Sequence, residues 1–115
     1  MTNTRKQPGS QAVDFDWLEA YANHDLTLVR EVLTLFAAEA AEWGGQLYPE
    51  GDWKPVVHTV KGTSRSVGAR TLGELCERAE AEGAELLPQV RDELTRAQAE
   101  IAEYLAHASP KSGND

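Results

Sequence analysis

The chain has 115 residues, enough for one domain with one core. It is acidic, with 19 Asp and Glu against 11 Lys and Arg, and nucleic-acid binding is not expected because phosphate contacts need a positive surface. Cys76 is the only cysteine, which excludes an internal disulfide and a cysteine metal cage; with no charged-then-apolar leader and no run of about 18 apolar residues, a cytoplasmic protein without membrane contact is expected.

Residues 1–12 are polar, carry Pro8 and Gly9 and show no period, so they read as a loose tail. The spacing predicts a short helix over Phe15–Ala22, with Asp14 as N-cap. A long helix follows over Leu26–Trp43, with the stripe Val29, Val32, Leu33, Phe36, Ala40 and Trp43, stopped or kinked by Gly44-Gly45. Asp52 is the expected cap of a third helix over Trp53–Val67, which tolerates Pro55 in its first turn and ends at Gly68. A fourth covers Thr71–Glu82, with Leu72, Leu75, Cys76 and Ala79 inward and Gly83 as its stop. A fifth starts at about Pro88 and reaches His107, with the stripe Val90, Leu94, Ala97, Ile101 and Leu105. Residues 109–115 read as a second tail, leaving a domain over 13–108. No run alternates as a strand would, so the chain is all-α: an up-and-down antiparallel four-helix bundle with a short additional N-terminal helix.

The third helix carries a histidine on its polar face. Each helical residue advances by about 100°. With Val60 as the centre of the apolar face, Trp53, Val56, Val57, Thr63, Ser64 and Val67 fall within roughly 60° of it. His58 falls about 160° away, with Lys54, Lys61, Gly62 and Arg65 around it. Neutral imidazole is a nucleophile and can hold a phosphoryl group as a phosphoramidate. Such a carrier needs an exposed ring, a nearby cation and low neighbouring surface. Lys61 at i+3 supplies the cation, and Gly62 at i+4, at a helical cost of about 1 kcal/mol, either leaves the ring open or lets another helix approach closely. Arg65 extends that face by a turn, toward phosphate or a partner carboxylate. Asp52–Arg70 holds four cations (Lys54, Lys61, Arg65, Arg70) and one anion, whereas the last two helices are rich in acids that read as a solvated face. The histidine helix is therefore expected to be a basic patch that steers an acidic partner. Leu28 and Leu35 lie roughly 80–100° from the centre of the long helix's core stripe. They are either partner contacts or covered by the helix Phe15–Ala22. Cys76 reads as a buried small hydrophobe, Trp43 and Trp53 as core, and His24 and His107 as incidental.

His58-Thr-Val-Lys-Gly-Thr-Ser, then Val67-Gly-Ala, Leu72, Leu75-Cys76 and Ala79-Glu80 resemble a histidine-containing phosphotransfer (HPt) domain. The resemblance spans about Asp14 to Tyr104, including Phe36 on the long helix and Gly51-Asp52 before the histidine helix. It implies a helical bundle that relays phosphate between response-regulator receiver domains, or from a histidine kinase to one. His58 would be the phosphoacceptor, Lys61 would stabilise the phosphoryl group and Gly62 would give steric access. Arg65, Lys54, Leu28 and Leu35 would border the partner. Arg65 departs from the family, which commonly has a small or short polar residue there, and this bears on partner choice.

The expected protein is thus a monomeric phosphocarrier rather than an enzyme. It needs no cofactor of its own, since Mg2+ belongs to the receiver's acidic pocket. The competing reading is a non-catalytic helical adaptor that binds receivers or kinases without phosphotransfer. A metal-binding bundle lacks inward-facing Glu-x-x-His pairs. An autonomous kinase lacks a glycine-rich nucleotide-binding domain, so the phosphoryl group must come from a partner.

Overall fold

The computed structural model describes residues 11–107. It contains α1 (Phe15–Tyr21), α2 (Leu26–Gly44), α3 (Trp53–Val67), α4 (Arg70–Glu82) and α5 (Leu87–His107), with a 3-10 turn at Ala84–Leu86 that the periodicity did not reveal. No strand occurs among the described residues. Helices α2 to α5 form an up-and-down bundle in which α2 packs on α3 and α5, and α4 packs on the same two.

The helix starts follow one rule and one exception. An N-cap carboxylate takes the backbone N–H two or three residues into the helix. Asp14 accepts from Trp17 N–H at 3.0 Å and Asp25 from Leu28 N–H at 3.2 Å. Asp52 holds the equivalent place before α3 but makes no capping bond. The third helical residue there is Pro55, which has no N–H to give, so the expected cap is only positional.

The core is the set of stripes the periodicity marks out. Val29, Leu33, Phe36, Ala40 and Trp43 of α2 meet Trp53, Val57, Val60 and Val67 of α3, Leu72, Cys76 and Ala79 of α4, and Val90, Leu94, Ala97 and Ile101 of α5. Val32, Leu75 and Leu105 lie at the rim, half-buried.

The tails expected at 1–12 and 109–115 lie outside the described residues, apart from Gln11 and Ala12. Ala12 departs from the expectation: it is buried, as is Val13. The Glu100 carboxylate accepts from the N–H of Ala12 at 2.8 and 2.9 Å and of Val13 at 3.0 Å. Composition could not show this, because the anchoring group sits at the far end of the chain.

The α3–α4 connection positions the site. Gly68 takes φ 87°, in the left-handed region, and closes α3. A Cβ there would lie 3.0 Å from the Asp14 carbonyl oxygen and 3.2 Å from the Trp17 ring, so glycine is required for both its dihedral and its space. Only Gly68 and Ala69 separate the two helices, which therefore run antiparallel and side by side.

Candidate functional site

Trp53, Val57, Val60, Ser64 and Val67 of α3 face inward, so His58 faces out as the helical wheel predicts. Its side chain is 72% accessible. The neighbours that matter come from α4. His58 Nδ1 lies 2.8 Å from Glu80 Oε2, and Lys61 Nζ donates to Glu80 Oε1 at 2.6 Å. One turn further, Arg65 Nη2 donates to Glu77 Oε1 at 2.7 Å. The result is a ladder across two antiparallel helices, with His58, Lys61 and Arg65 on one rail and Glu80, Glu77 and Gly73 on the other.

Glu80 decides the state of the ring. The hydrogen bond from Lys61, and then the contact with His58, hold its carboxyl below the ordinary carboxylate value. It is therefore ionised at neutral pH and can only accept. The proton on neutral His58 accordingly sits on Nδ1, which leaves the Nε2 lone pair free. The sequence alone leaves this choice of nitrogen open.

Lys61, expected as the cation beside the ring, is paired with a carboxylate of α4. Its side chain is only 21% accessible and already bound to Glu80. Gly62 borders open space. A Cβ built on it would meet nothing within 4 Å, so the glycine serves no helix packing and leaves open surface beside the ring.

Gly73 behaves in the opposite way. It is buried, and a Cβ there would stand 3.1 Å from Arg65 Cγ and 3.2 Å from Arg65 Nε. The arginine stem lies across α4 where a side chain would otherwise be. Glycine inside a helix costs about 1 kcal/mol, and an exposed ion pair such as Arg65–Glu77 returns at most about as much.

The expected basic patch is corrected by these pairs. Lys61 and Arg65 are each matched by a glutamate of α4, and Arg70 pairs with Asp14 at 3.0 Å. Lys54 lies 5.8 Å from the centre of the Trp53 ring, at the start of α3. The strip around His58 and Arg65 is charge-balanced, because acids on a neighbouring helix stand at the same height as the cations. The acids of the last two helices are correspondingly more than a solvated face. Glu93 is buried and takes Arg96 Nη1 at 2.8 Å, and Glu100 holds the N-terminal segment.

Leu28 and Leu35 are 44% and 60% exposed, so α1 does not cover them. Leu35 lines a shallow hollow on α2 with Arg30, Thr34 and Ala38. Ala38 also borders the groove between α2 and α3, which Val56 and Thr59 line from the histidine helix. Cys76 is buried, and burial pushes its thiol up to about 12, which removes it as a nucleophile. His24 lies in the α1–α2 turn at φ 60°, and His107 Nδ1 lies 2.8 Å from the Glu103 carbonyl oxygen. Among the described residues no group of three or more His, Cys, Asp or Glu could hold a metal ion, and no helix is long and apolar enough to cross a membrane.

Sequence reasoning missed the roles of Glu80, Glu77 and Gly73. A signal for two of them was present. His58 stands eleven residues before Ala69 and Glu80 eleven after it; Arg65 stands four before and Gly73 four after. In a helical hairpin with so short a turn, positions equidistant from the turn lie at one height.

A model of the Hpt domain family matches residues 31–107. The fold is similar to the crystal structure of the histidine phosphotransferase ShpA from Caulobacter crescentus. The two share 47% sequence identity with a TM-score of 0.78, over 88% of this chain and 97% of that one. No curated protein sequence matches the chain.

Proposed function

This chain belongs to the Hpt domain family of phosphorelay histidine phosphotransfer proteins, and from that premise we propose that His58 is its phosphoacceptor, reacting through Nε2. The observation that carries the reading is the pairing of an exposed ring, held through Nδ1 by Glu80, with open surface at Gly62.

The reaction follows from that geometry. A phosphorylated receiver carries an aspartyl phosphate. The Nε2 lone pair attacks phosphorus, the P–N bond forms, and the P–O bond to the aspartate breaks with the carboxylate as leaving group. The Nδ1 proton stays on the ring, where the Glu80 carboxylate offsets the positive charge that develops on the imidazole. Lys61 turns from Glu80 toward the phosphoryl oxygens, as a mobile point charge on a flexible stem. Transfer onward to a second receiver is the reverse sequence.

The carrier makes no phosphoryl donor of its own and depends on a histidine kinase and receiver domains. Mg2+ is held by the receiver, not by this chain. The carrier works as a cytoplasmic monomer. The partner sits over the outer side of α3, with Leu28 and Leu35 as apolar contacts and Lys54 and Arg65 at the border; the exposure of both leucines supports this.

The test is to incubate the protein with 32P-labelled receiver domains from the same genome. Label should move to the protein as an acid-labile, base-stable species, and His58→Gln should take none. Acceptance of label by that variant would refute the assignment.

A further inference from the structure

We propose that Gly73 is a seat that holds Arg65 flat on α4, as a preorganised cation that reads a carboxylate on the receiver's rim. The proposal rests on the phosphotransfer reading above and adds a residue that sets partner choice.

Three observations carry it. The three heavy atoms nearest to a Cβ at Gly73 all belong to Arg65. The glycine is therefore covered by the arginine; a Cβ there would push the arginine by a few tenths of an ångström, and a longer side chain would displace it. Second, the guanidinium meets Glu77 through Nη2 alone, while 49% of the side chain stays accessible. Nε lies against Gly73, so the accessible part of the side chain includes the far end of a planar fork, the shape that binds a carboxylate through two parallel hydrogen bonds. Third, Arg65 lies two helical turns from His58, about 10.5 Å along the axis, and is directed across to α4. It is therefore placed to touch the partner's rim rather than the phosphoryl group.

A stabilising clamp is the ordinary alternative. The helical cost of Gly73 and the gain from an exposed ion pair are of similar size, so the arrangement brings no clear stability. What it does bring is a long, flexible side chain already ordered before the partner arrives, which lowers the entropy lost on binding. A carboxylate on the receiver's rim is the fitting ligand because Glu77 meets the guanidinium through one nitrogen, and a second carboxylate completes the planar fork.

The experiment uses the full chain and a 32P-labelled receiver that the wild-type protein discharges. In single-turnover transfer, with the half-saturating concentration read as KM and the maximal rate as kcat, Arg65→Ala should raise KM about tenfold and leave kcat unchanged. Gly73→Gln should raise KM several-fold, shift the Arg65 Nε–H resonance and leave thermal stability equal or higher. Gly73→Ala, a smaller displacement, should fall between Gly73→Gln and wild type, and serves if the glutamine variant folds poorly. The double variant Arg65→Ala/Gly73→Gln should be no worse than Arg65→Ala, since the seat acts only through the arginine. Arg65→Lys should restore little, because an ammonium has no fork. An unchanged KM in Arg65→Ala overturns the proposal, as does additivity in the double variant. A fall in kcat at constant KM would also overturn it, by placing Arg65 at the phosphoryl group. His58→Gln separates the two readings: if it still accepts label, the acceptor assignment fails whatever Arg65 does.

Discussion

Glu80 and Glu100 have nearly the same exposure, with 28% and 26% of their side chains accessible, yet they serve different ends. Glu100 accepts from the backbone N–H groups of Ala12 and Val13, donors that cannot leave without freeing that segment from the bundle. Glu80 accepts from Lys61 and meets the ring of His58, groups on side chains that can turn toward a phosphoryl group and back. Burial does not separate a structural carboxylate from a reactive one here. Donor identity distinguishes them: Glu100 holds backbone donors beside its ion pair with Arg96, whereas both groups that meet Glu80 are on side chains that can move.

The largest effect should come from the ring itself. His58→Gln should abolish phosphate acceptance and leave the thermal transition unchanged, because the ring is 72% accessible. Label appearing on His24 or His107 in that variant would break the comparison at its root. Next in size is bulk beside the ring. Gly62→Gln should slow transfer on the order of a hundredfold by misplacing the partner, while helix stability stays equal or rises by up to about 1 kcal/mol. A Gly62→Gln protein that unfolds would show that the glycine serves packing after all.

The two glutamates can then be tested against each other. Glu80→Gln keeps an acceptor for Nδ1–H but removes the charge, so transfer should fall on the order of tenfold with little change in a urea titration. Glu100→Gln should do the converse, losing about 1–2 kcal/mol of stability as charge-assisted bonds to the backbone weaken, with transfer unaffected. Crossed outcomes would show that donor identity is the wrong criterion.

The smallest expected effect is on pH dependence. Glu80 is held below its ordinary value of 4.5, first by Lys61 and then by His58. Folding therefore lowers its proton affinity, and its contribution is fully present above 4.5. That contribution fades as pH falls through the depressed value. The melting-temperature difference between wild type and Glu80→Gln should shrink on acidification through that window and also with added salt. A difference that grows on acidification would contradict the pairing.

The fold was largely legible in the sequence because helical periodicity is a property of neighbouring residues. The range Trp53–Val67, the inward valines of α3 and the outward His58 all follow from a 100° step. The openness at Gly62 follows from the same wheel. Asp52, expected to cap α3, makes no capping bond, and the reason, Pro55 three residues on with no N–H to give, lay in the sequence unread. Other features required the tertiary structure. Ala12 is buried because a carboxylate 88 residues away accepts its N–H. The histidine helix looked basic until α4 placed Glu77 and Glu80 beside its cations. The free nitrogen of His58 is decided by Glu80, and the space at Gly73 is filled by Arg65, each across the α3–α4 hairpin. Sequence by itself determined which face of each helix is apolar, since that depends on the spacing of residues along one helix. Which polar groups meet between helices depends on the height and rotation of one helix against another, and that is set only when their apolar faces pack together.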